Sequence, residues 1–167
     1  MVLEHQCRTH NLMTKAKMGY ERALYFQKSY SVGADLNSRE GMSWKTAESS
    51  AKEIVKAFLF TDEVDPGGDG VEGSRAFADA FEGKGLKSKK GKSLRDFRLY
   101  GRIFKNRWSY MIHSLAFQGL PVIVKERVLS HLRQELSGDF KNHLSSREKK
   151  AIREILIETV PGFKSES

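Results

Sequence analysis

Apolar residues in this chain recur at three- and four-residue steps, which is the spacing of an amphipathic α-helix. The strongest pattern predicts a helix over residues 44–60, capped by Ser43, with an apolar face of Trp44, Ala47, Ala51, Ile54 and Phe58. No segment shows the strict alternation of a half-buried strand. We therefore expect an all-α fold with about six helices in a single irregular bundle.

Five further helices are expected, over residues 11–30, 74–81, 94–118, 121–137 and 147–159. Two of them begin with a capping signal. Ser93 with Asp96 precedes the helix 94–118, and Ser145 with Glu148 precedes the last helix.

The length of 167 residues fits one domain, so we predict a single helical domain over residues 1–167. Residues 61–73 hold five acids, several glycines and no base, and residues 83–92 are rich in Gly, Lys and Ser. These compositions are typical of a mobile connector. A flexible segment 61–92 would allow a subdivision into residues 1–60 and 93–160.

The net charge of +8 is unevenly spread along the sequence. Residues 1–83 carry 10 Lys/Arg against 13 Asp/Glu, a net of −3, whereas residues 84–167 carry 19 against 8, a net of +11. Residues 84–107, called the basic segment below, contain ten cations and one acid, Asp96. The cations are Lys84, Lys87, Lys89, Lys90, Lys92, Arg95, Arg98, Arg102, Lys105 and Arg107.

On the predicted helix 94–118, four of these cations would form one exposed stripe of about 15 Å: Arg95, Arg98, Arg102 and Lys105. A stripe of this length meets two or three phosphates, and the Lys-rich residues 84–92 would form a flexible arm ahead of it. We therefore predict a non-enzymatic protein that binds RNA or DNA through the phosphate backbone, with all ten cations as candidate contacts. Phosphate contacts do not read a base sequence.

Two alternatives use the same cations. A structural, matrix-like protein that forms homo-oligomers would bind an anionic membrane surface or an acidic protein partner. Alternatively, the exposed cations only keep the surface soluble. The acidic residues 61–73 would either screen the basic segment as an electrostatic latch or lie solvated beside it.

Motifs for catalysis are incomplete. Residues 85–93 resemble a phosphate-binding loop, but Leu86 occupies the position that requires glycine. No nucleophile, base and orienting group can be assembled. We expect no catalytic residues and no cofactor.

Motifs for metal binding are incomplete as well. The acidic segment has Ala76 where a calcium loop needs its final carboxylate. His5, Cys7 and His10 are zinc ligands by type, but a fourth would have to come from elsewhere, such as His131 or His143. We expect no metal.

Localisation is predicted from what the sequence lacks. Cys7 is the single cysteine, which excludes an internal disulfide and fits a reducing compartment. Neither a signal-peptide core nor a run of about 18 apolar residues is present. We expect an intracellular protein of the cytoplasm or nucleus, neither secreted nor transmembrane.

Overall fold

The computed structural model describes residues 1–30, 35–36, 38–61, 63, 65 and 67–164. Within these residues the regular structure is helical, and no strand extends beyond an isolated bridge, which confirms the all-α bundle. The helices are α1 (Val2–Tyr30), α2 (Met42–Phe58), α3 (Arg75–Gly83), α4 (Leu115–Gln118), α5 (Val122–Glu135) and α6 (Ser146–Thr159), with a 3₁₀ helix at Tyr110–His113.

The chain forms two compact units, and each is made of two separate stretches of sequence. The first unit contains residues 1–57 and 111–132, and the second unit contains residues 58–110 and 133–167. These boundaries do not coincide with the predicted connector 61–92, part of which is helix α3. The mobility of that connector stays a prediction.

Helix α1 of the first unit begins at Val2, nine residues before the predicted start. Its first turns carry no apolar stripe in the sequence. Thr9 and Met13 are nevertheless buried one helical turn apart, so tertiary packing stabilises this part of the helix. Helix α1 contacts α4. The core of this unit also includes Ala16, Ala23, Ala47, Ala51, Ile54, Val124 and Val128.

The start of α2 is fixed to the end of α1 by a buried polar contact. The backbone N–H and the hydroxyl of Ser43 donate to Gln27 Oε1, at 3.1 and 2.9 Å. Because α2 begins at Met42, Ser43 lies inside the helix, and the prediction that it caps the helix was wrong. A Cβ at Gly41 would lie 2.8 Å from the Gln27 side-chain amide, so a larger residue there would have to displace this amide.

The second unit has a core dominated by aromatic rings. Phe81 and Phe97 stack at 4.9 Å between ring centroids, Phe97 and Phe104 at 5.4 Å, and Tyr110 meets Phe81 edge-on at 5.0 Å. Such pairs stabilise a core beyond the area they bury. Buried aliphatic residues of α6 complete the core: Ile152, Ile155 and Leu156.

Helix α6 starts at the predicted capping box. The Ser145 hydroxyl accepts from the Glu148 backbone N–H, and the Glu148 carboxylate accepts from the Ser145 backbone N–H. One turn in, the buried Lys149 ammonium donates to the carbonyls of Ser137 and Phe140. These bonds hold the chain that precedes α6 against the helix.

The predicted helix 94–118 does not form. Residues 94–109 are turns and irregular structure, and only the 3₁₀ helix and the four-residue α4 follow. The spacing of Phe97 and Phe104 predicts that both lie on one helical face. In the structure, the two rings instead stack opposite each other across a turn. The predicted helical stripe of cations is therefore wrong.

Candidate nucleic-acid interface

The basic segment consists of two bridged turns. Lys87 and Ser93 form an antiparallel bridge that closes the first turn, where the Ser88 backbone N–H donates to the Lys92 carbonyl at 2.9 Å. Gly91, with φ +72°, lies in the left-handed region that such a turn requires. Residues 84–92 contain this turn, and the flexibility predicted for them stays a prediction.

The second turn runs between the bridged residues Phe97 and Phe104. Leu99 and Gly101 have φ values of +65° and +63°, which no α-helix contains. The Arg98 backbone N–H donates to the Ile103 carbonyl at 2.8 Å and closes the turn. This geometry replaces the predicted helix.

The predicted cap at Ser93 forms its local bonds without a helix. The Ser93 backbone N–H donates to Asp96 Oδ2 at 3.0 Å, and the Arg95 N–H donates to the Ser93 hydroxyl at 3.2 Å. The chain does not continue as a helix after this turn, because the Phe97 N–H donates to Glu82 Oε1 of α3 at 2.7 Å. A long-range bond therefore overrides a local helix signal.

Four of the ten predicted contact cations bind other parts of the second unit, and a fifth, Arg107, is half-buried. The Arg95 guanidinium carbon lies 4.7 Å from the Phe81 ring centroid and 4.8 Å from that of Tyr110, a double cation–π contact. Arg107 is half-buried, and its Nε is buried without a hydrogen-bond partner. Arg102, Lys90 and Lys92 form ion pairs.

The Arg102 pair is the most enclosed of these. Arg102 donates to Glu148 Oε1, and the two side chains are 15% and 21% exposed. Burial alone raises the pKa of the Glu148 carboxyl. The bonds from the Ser145 backbone and hydroxyl and from Arg102 outweigh burial and lower this pKa to about 2.

Lys90 and Lys92 share one acid on the exposed side of α6. Their ammonium groups lie 3.1 and 3.8 Å from Glu154 Oε2. The hydrogen bond from Lys90 lowers the pKa of Glu154, and the charges of Lys90, Lys92 and Lys150 act in the same direction. The neighbouring Glu158 accepts the Lys89 backbone N–H at 2.6 Å. Three ammonium groups thus surround one carboxylate, which leaves a positive excess.

The other five cations of the basic segment have exposed side chains. Within the part of the chain that the structure describes, none of them forms an ion pair. These residues, called the free cations below, are Lys84, Lys87, Lys89, Arg98 and Lys105. Their charges are accessible to an anionic ligand, although they do not share a helix.

The acidic segment 61–73 contacts the second turn through its backbone. The Val71 N–H donates to the Leu99 carbonyl at 2.7 Å, and the Gly101 N–H donates to the Gly67 carbonyl at 3.1 Å. A Cβ at Gly70 would lie 2.6 Å from the Leu99 oxygen, so the approach requires glycine. The exposed carboxylates of Asp65, Asp69 and Glu72 form no ion pair among the described residues. The electrostatic latch stays a hypothesis.

Sequence reasoning missed three exposed cations on α6: Arg147, Lys150 and Arg153. They follow a three-residue spacing, which places them along one side of the helix. The capping box predicts this helix, so the spacing of the three cations was enough to predict that they share one side of it. The charge near Glu154 is therefore supplied by α6 as well as by the basic segment.

Charged residues of the first unit also gather in one place, around Glu48. Arg127 Nε lies 2.7 Å from Glu48 Oε2, and His131 Nε2 and Lys52 Nζ lie 2.9 and 3.3 Å from Oε1. Burial tends to raise the pKa of Glu48, but the Arg127 hydrogen bond, the nearby His131 and the Lys52 hydrogen bond lower it. Arg127 also lies 5.0 Å from the Trp44 ring centroid. Arg127, His131 and Lys52 all bind the same carboxylate, so the cluster serves to hold these side chains together.

The N-terminal residues considered as zinc ligands lie on α1. Cys7 is exposed, and burial together with the nearby charge of Arg8 lowers the pKa of His5 to about 4. Among the described residues, no group of three or more His, Cys, Asp and Glu side chains is placed to hold a metal ion. None of the described helices is both long and apolar enough to cross a membrane.

No protein-family model, curated protein or solved structure matches this chain.

Proposed function

We propose that this chain is a non-enzymatic nucleic-acid-binding protein that contacts the phosphate backbone of RNA or DNA through the basic segment. The observation that supports the proposal is the set of free cations, Lys84, Lys87, Lys89, Arg98 and Lys105, on turns held by bridges, ion pairs and an aromatic core. No acid among the described residues forms an ion pair with these five cations, so an anionic polymer can neutralise them.

The affinity for such a ligand arises from phosphate neutralisation. Each cation that contacts a phosphate releases a condensed counterion, so the affinity falls steeply as salt is added. Arg98 can hold a phosphate with two hydrogen bonds, whereas the four lysines act as point charges. Lys90, Lys92 and Lys150 add a positive field around Glu154. These contacts carry no base information, so we expect weak sequence preference.

The test is a charge reversal with a matched control. Arg98→Glu with Lys105→Glu changes the charge by −4 at free cations. Lys17→Glu with Lys28→Glu makes the same change at exposed positions of α1. Affinity for labelled mixed-sequence RNA and DNA is measured by fluorescence anisotropy at several salt concentrations.

We expect the first variant to lose about 100-fold in affinity at moderate salt and to show a shallower salt dependence, whereas the control changes little. Circular dichroism checks that both variants remain helical. Equal losses in the two variants would mean that net charge matters and the basic segment does not. Retained affinity in the first variant would contradict the proposal.

A second candidate is a structural protein that self-associates and uses its cations on an anionic membrane or an acidic partner. It is favoured by exposed apolar side chains on and after α1: Met18, Tyr25, Phe26, Tyr30 and Met42. Contiguous exposed apolar residues often mark interaction sites. Light scattering over a concentration series, with binding to anionic vesicles measured in the same buffer, distinguishes this candidate from the first.

A further inference from the structure

The tip of the second turn, residues 98–103, presents an aromatic ring to solvent. Tyr100 is 57% exposed, and the Arg98 guanidinium carbon lies 5.1 Å from its ring centroid. Arg98, one of the free cations, therefore lies over one face of the ring, while more than half of the Tyr100 surface stays exposed to solvent. Aromatic faces stack on nucleic-acid bases, and arginine binds the adjoining phosphate or stacks as well.

The backbone that carries this ring is strained and held in place. Leu99 adopts φ +65°, a conformation that a leucine rarely takes and that persists only where its surroundings impose it. The surroundings here are four backbone hydrogen bonds. The Arg98 and Leu99 N–H groups donate to the Ile103 carbonyl, the Val71 N–H donates to the Leu99 carbonyl, and the Gly101 N–H donates to the Gly67 carbonyl. Strain of this kind clusters at binding sites. The backbone at Tyr100 is held in place before a ligand arrives, which lowers the ordering cost of binding.

We infer that Tyr100 is a stacking platform for an unpaired base, so that the preferred ligand of the basic segment is single-stranded nucleic acid. This inference rests on the proposed function. In a duplex, neighbouring bases cover one another's faces and expose only their edges. A single strand offers free faces to Tyr100 while its phosphates reach the free cations.

The experiment compares three labelled ligands of about 12 nucleotides, a length within the range of single-strand sites. These are a mixed-sequence single strand, the duplex of the same sequence, and a single strand in which the bases are replaced by abasic sites. The full chain is tested as wild type, Tyr100→Ala and Tyr100→Phe. Tyr25→Ala is the matched control, because Tyr25 is 67% exposed on α1.

We expect Tyr100→Ala to bind the normal single strand about tenfold more weakly than wild type, and Tyr100→Phe to remain within about twofold. The duplex and the abasic strand should bind all variants equally, because no base face is available in either. Tyr25→Ala should resemble wild type. The Tyr100→Phe variant keeps the aromatic ring, so retained affinity in this variant shows that the ring is what matters. Thermal unfolding of each variant checks that the substitution has not destabilised the fold.

Two results would overturn the inference while the proposed function stands: unchanged single-strand affinity in Tyr100→Ala, or an equal loss for duplex and abasic strand. Absence of salt-dependent binding to all three ligands in the wild type would overturn the proposed function and, with it, this inference. Binding of vesicles instead of nucleic acid would have the same consequence.

Discussion

The two compact units carry the same net charge and distribute it differently. The first unit has 11 Lys/Arg against 7 Asp/Glu and the second has 18 against 14, so each has a net charge of +4. In the first unit, Arg127, His131 and Lys52 converge on Glu48. In the second, five cations of the basic segment form no ion pair within the described residues. The equal net charges therefore conceal different arrangements of the charged residues.

The two halves of the sequence have net charges of −3 and +11, but the two units do not show this difference. The acidic residues 61–73 and the basic segment belong to the same unit, so their charges offset each other there. What differs between the units is where the ion pairs gather: on Glu48 in the first unit, and on Glu148 and Glu154 beside the basic segment in the second. Five predictions test whether the paired cations serve stability and the free ones serve binding.

The largest expected effect comes from removing the acid that holds Arg102. Glu148→Gln leaves a largely buried guanidinium without its counter-charge, whereas the glutamine amide oxygen can still accept the Ser145 N–H of the α6 capping box. We expect a loss of about 3 kcal/mol in the free energy of unfolding, measured in urea at pH 7. The exposed Glu126→Gln on α5 is the control and should change stability little.

The same carboxylate predicts a pH dependence. Its folded pKa of about 2 lies below the ordinary value of 4.5, so the unfolded chain binds the proton more readily. The stability from this group is fully present above pH 4.5 and is lost as the pH falls toward 2. The difference between wild type and Glu148→Gln should shrink over that range. A constant difference would show that the capping geometry, and not the charge, is responsible.

Glu48→Gln tests the paired cluster of the first unit. The Arg127 and His131 side chains are 25% and 16% exposed, and both lose their acid partner. We expect a loss of about 2 kcal/mol, because partial exposure to water weakens each pair. Glu53→Gln, exposed on the same helix, should cost almost nothing in the same unfolding experiment.

Arg95→Met tests the cation held by aromatic rings. The substitution keeps most of the apolar stem and removes the charge between Phe81 and Tyr110, so we expect a loss of about 1 kcal/mol. Arg75→Met, at an exposed arginine of α3, is the matched control. If both variants unfold at the same urea concentration as wild type, the double cation–π contact does not stabilise the unit.

The smallest effect on stability is expected at the free cations. Lys87→Gln with Lys105→Gln should change the free energy of unfolding by less than about 0.5 kcal/mol. The same variant should reduce the slope of log affinity against log salt for nucleic acid by about 1 per lysine. A stability loss above 1 kcal/mol would place these lysines with the structural cations and remove the contrast between the units.

Helices α2 and α6 could be predicted because their signals are local. The three- and four-residue spacing of Ala47, Ala51, Ile54 and Phe58 describes one helix face, and the box of Ser145 and Glu148 is complete within four residues. The early turns of α1 were not predicted because they have no apolar stripe. Their packing depends on the buried polar residue Thr9, which the sequence does not distinguish from an exposed threonine.

The basic segment was mispredicted because a seven-residue spacing fits two structures. Phe97 and Phe104 would share a helix face after two turns, and they equally form a pair across a turn. The composition indicated the ten candidate cations. It could not show which are free, because the acids that bind Arg102 and Lys90 lie 46 and 64 residues further along the chain.

The interleaved order of the two units determines when each can fold during synthesis. The first unit has all of its residues once position 132 has left the ribosome, although residues 58–110 of the second have already emerged. The basic segment must then wait for α6, which supplies Glu148 and Glu154. Until that helix arrives, Arg102, Lys90 and Lys92 lack their acids, so the nascent chain exposes more positive charge than the finished protein.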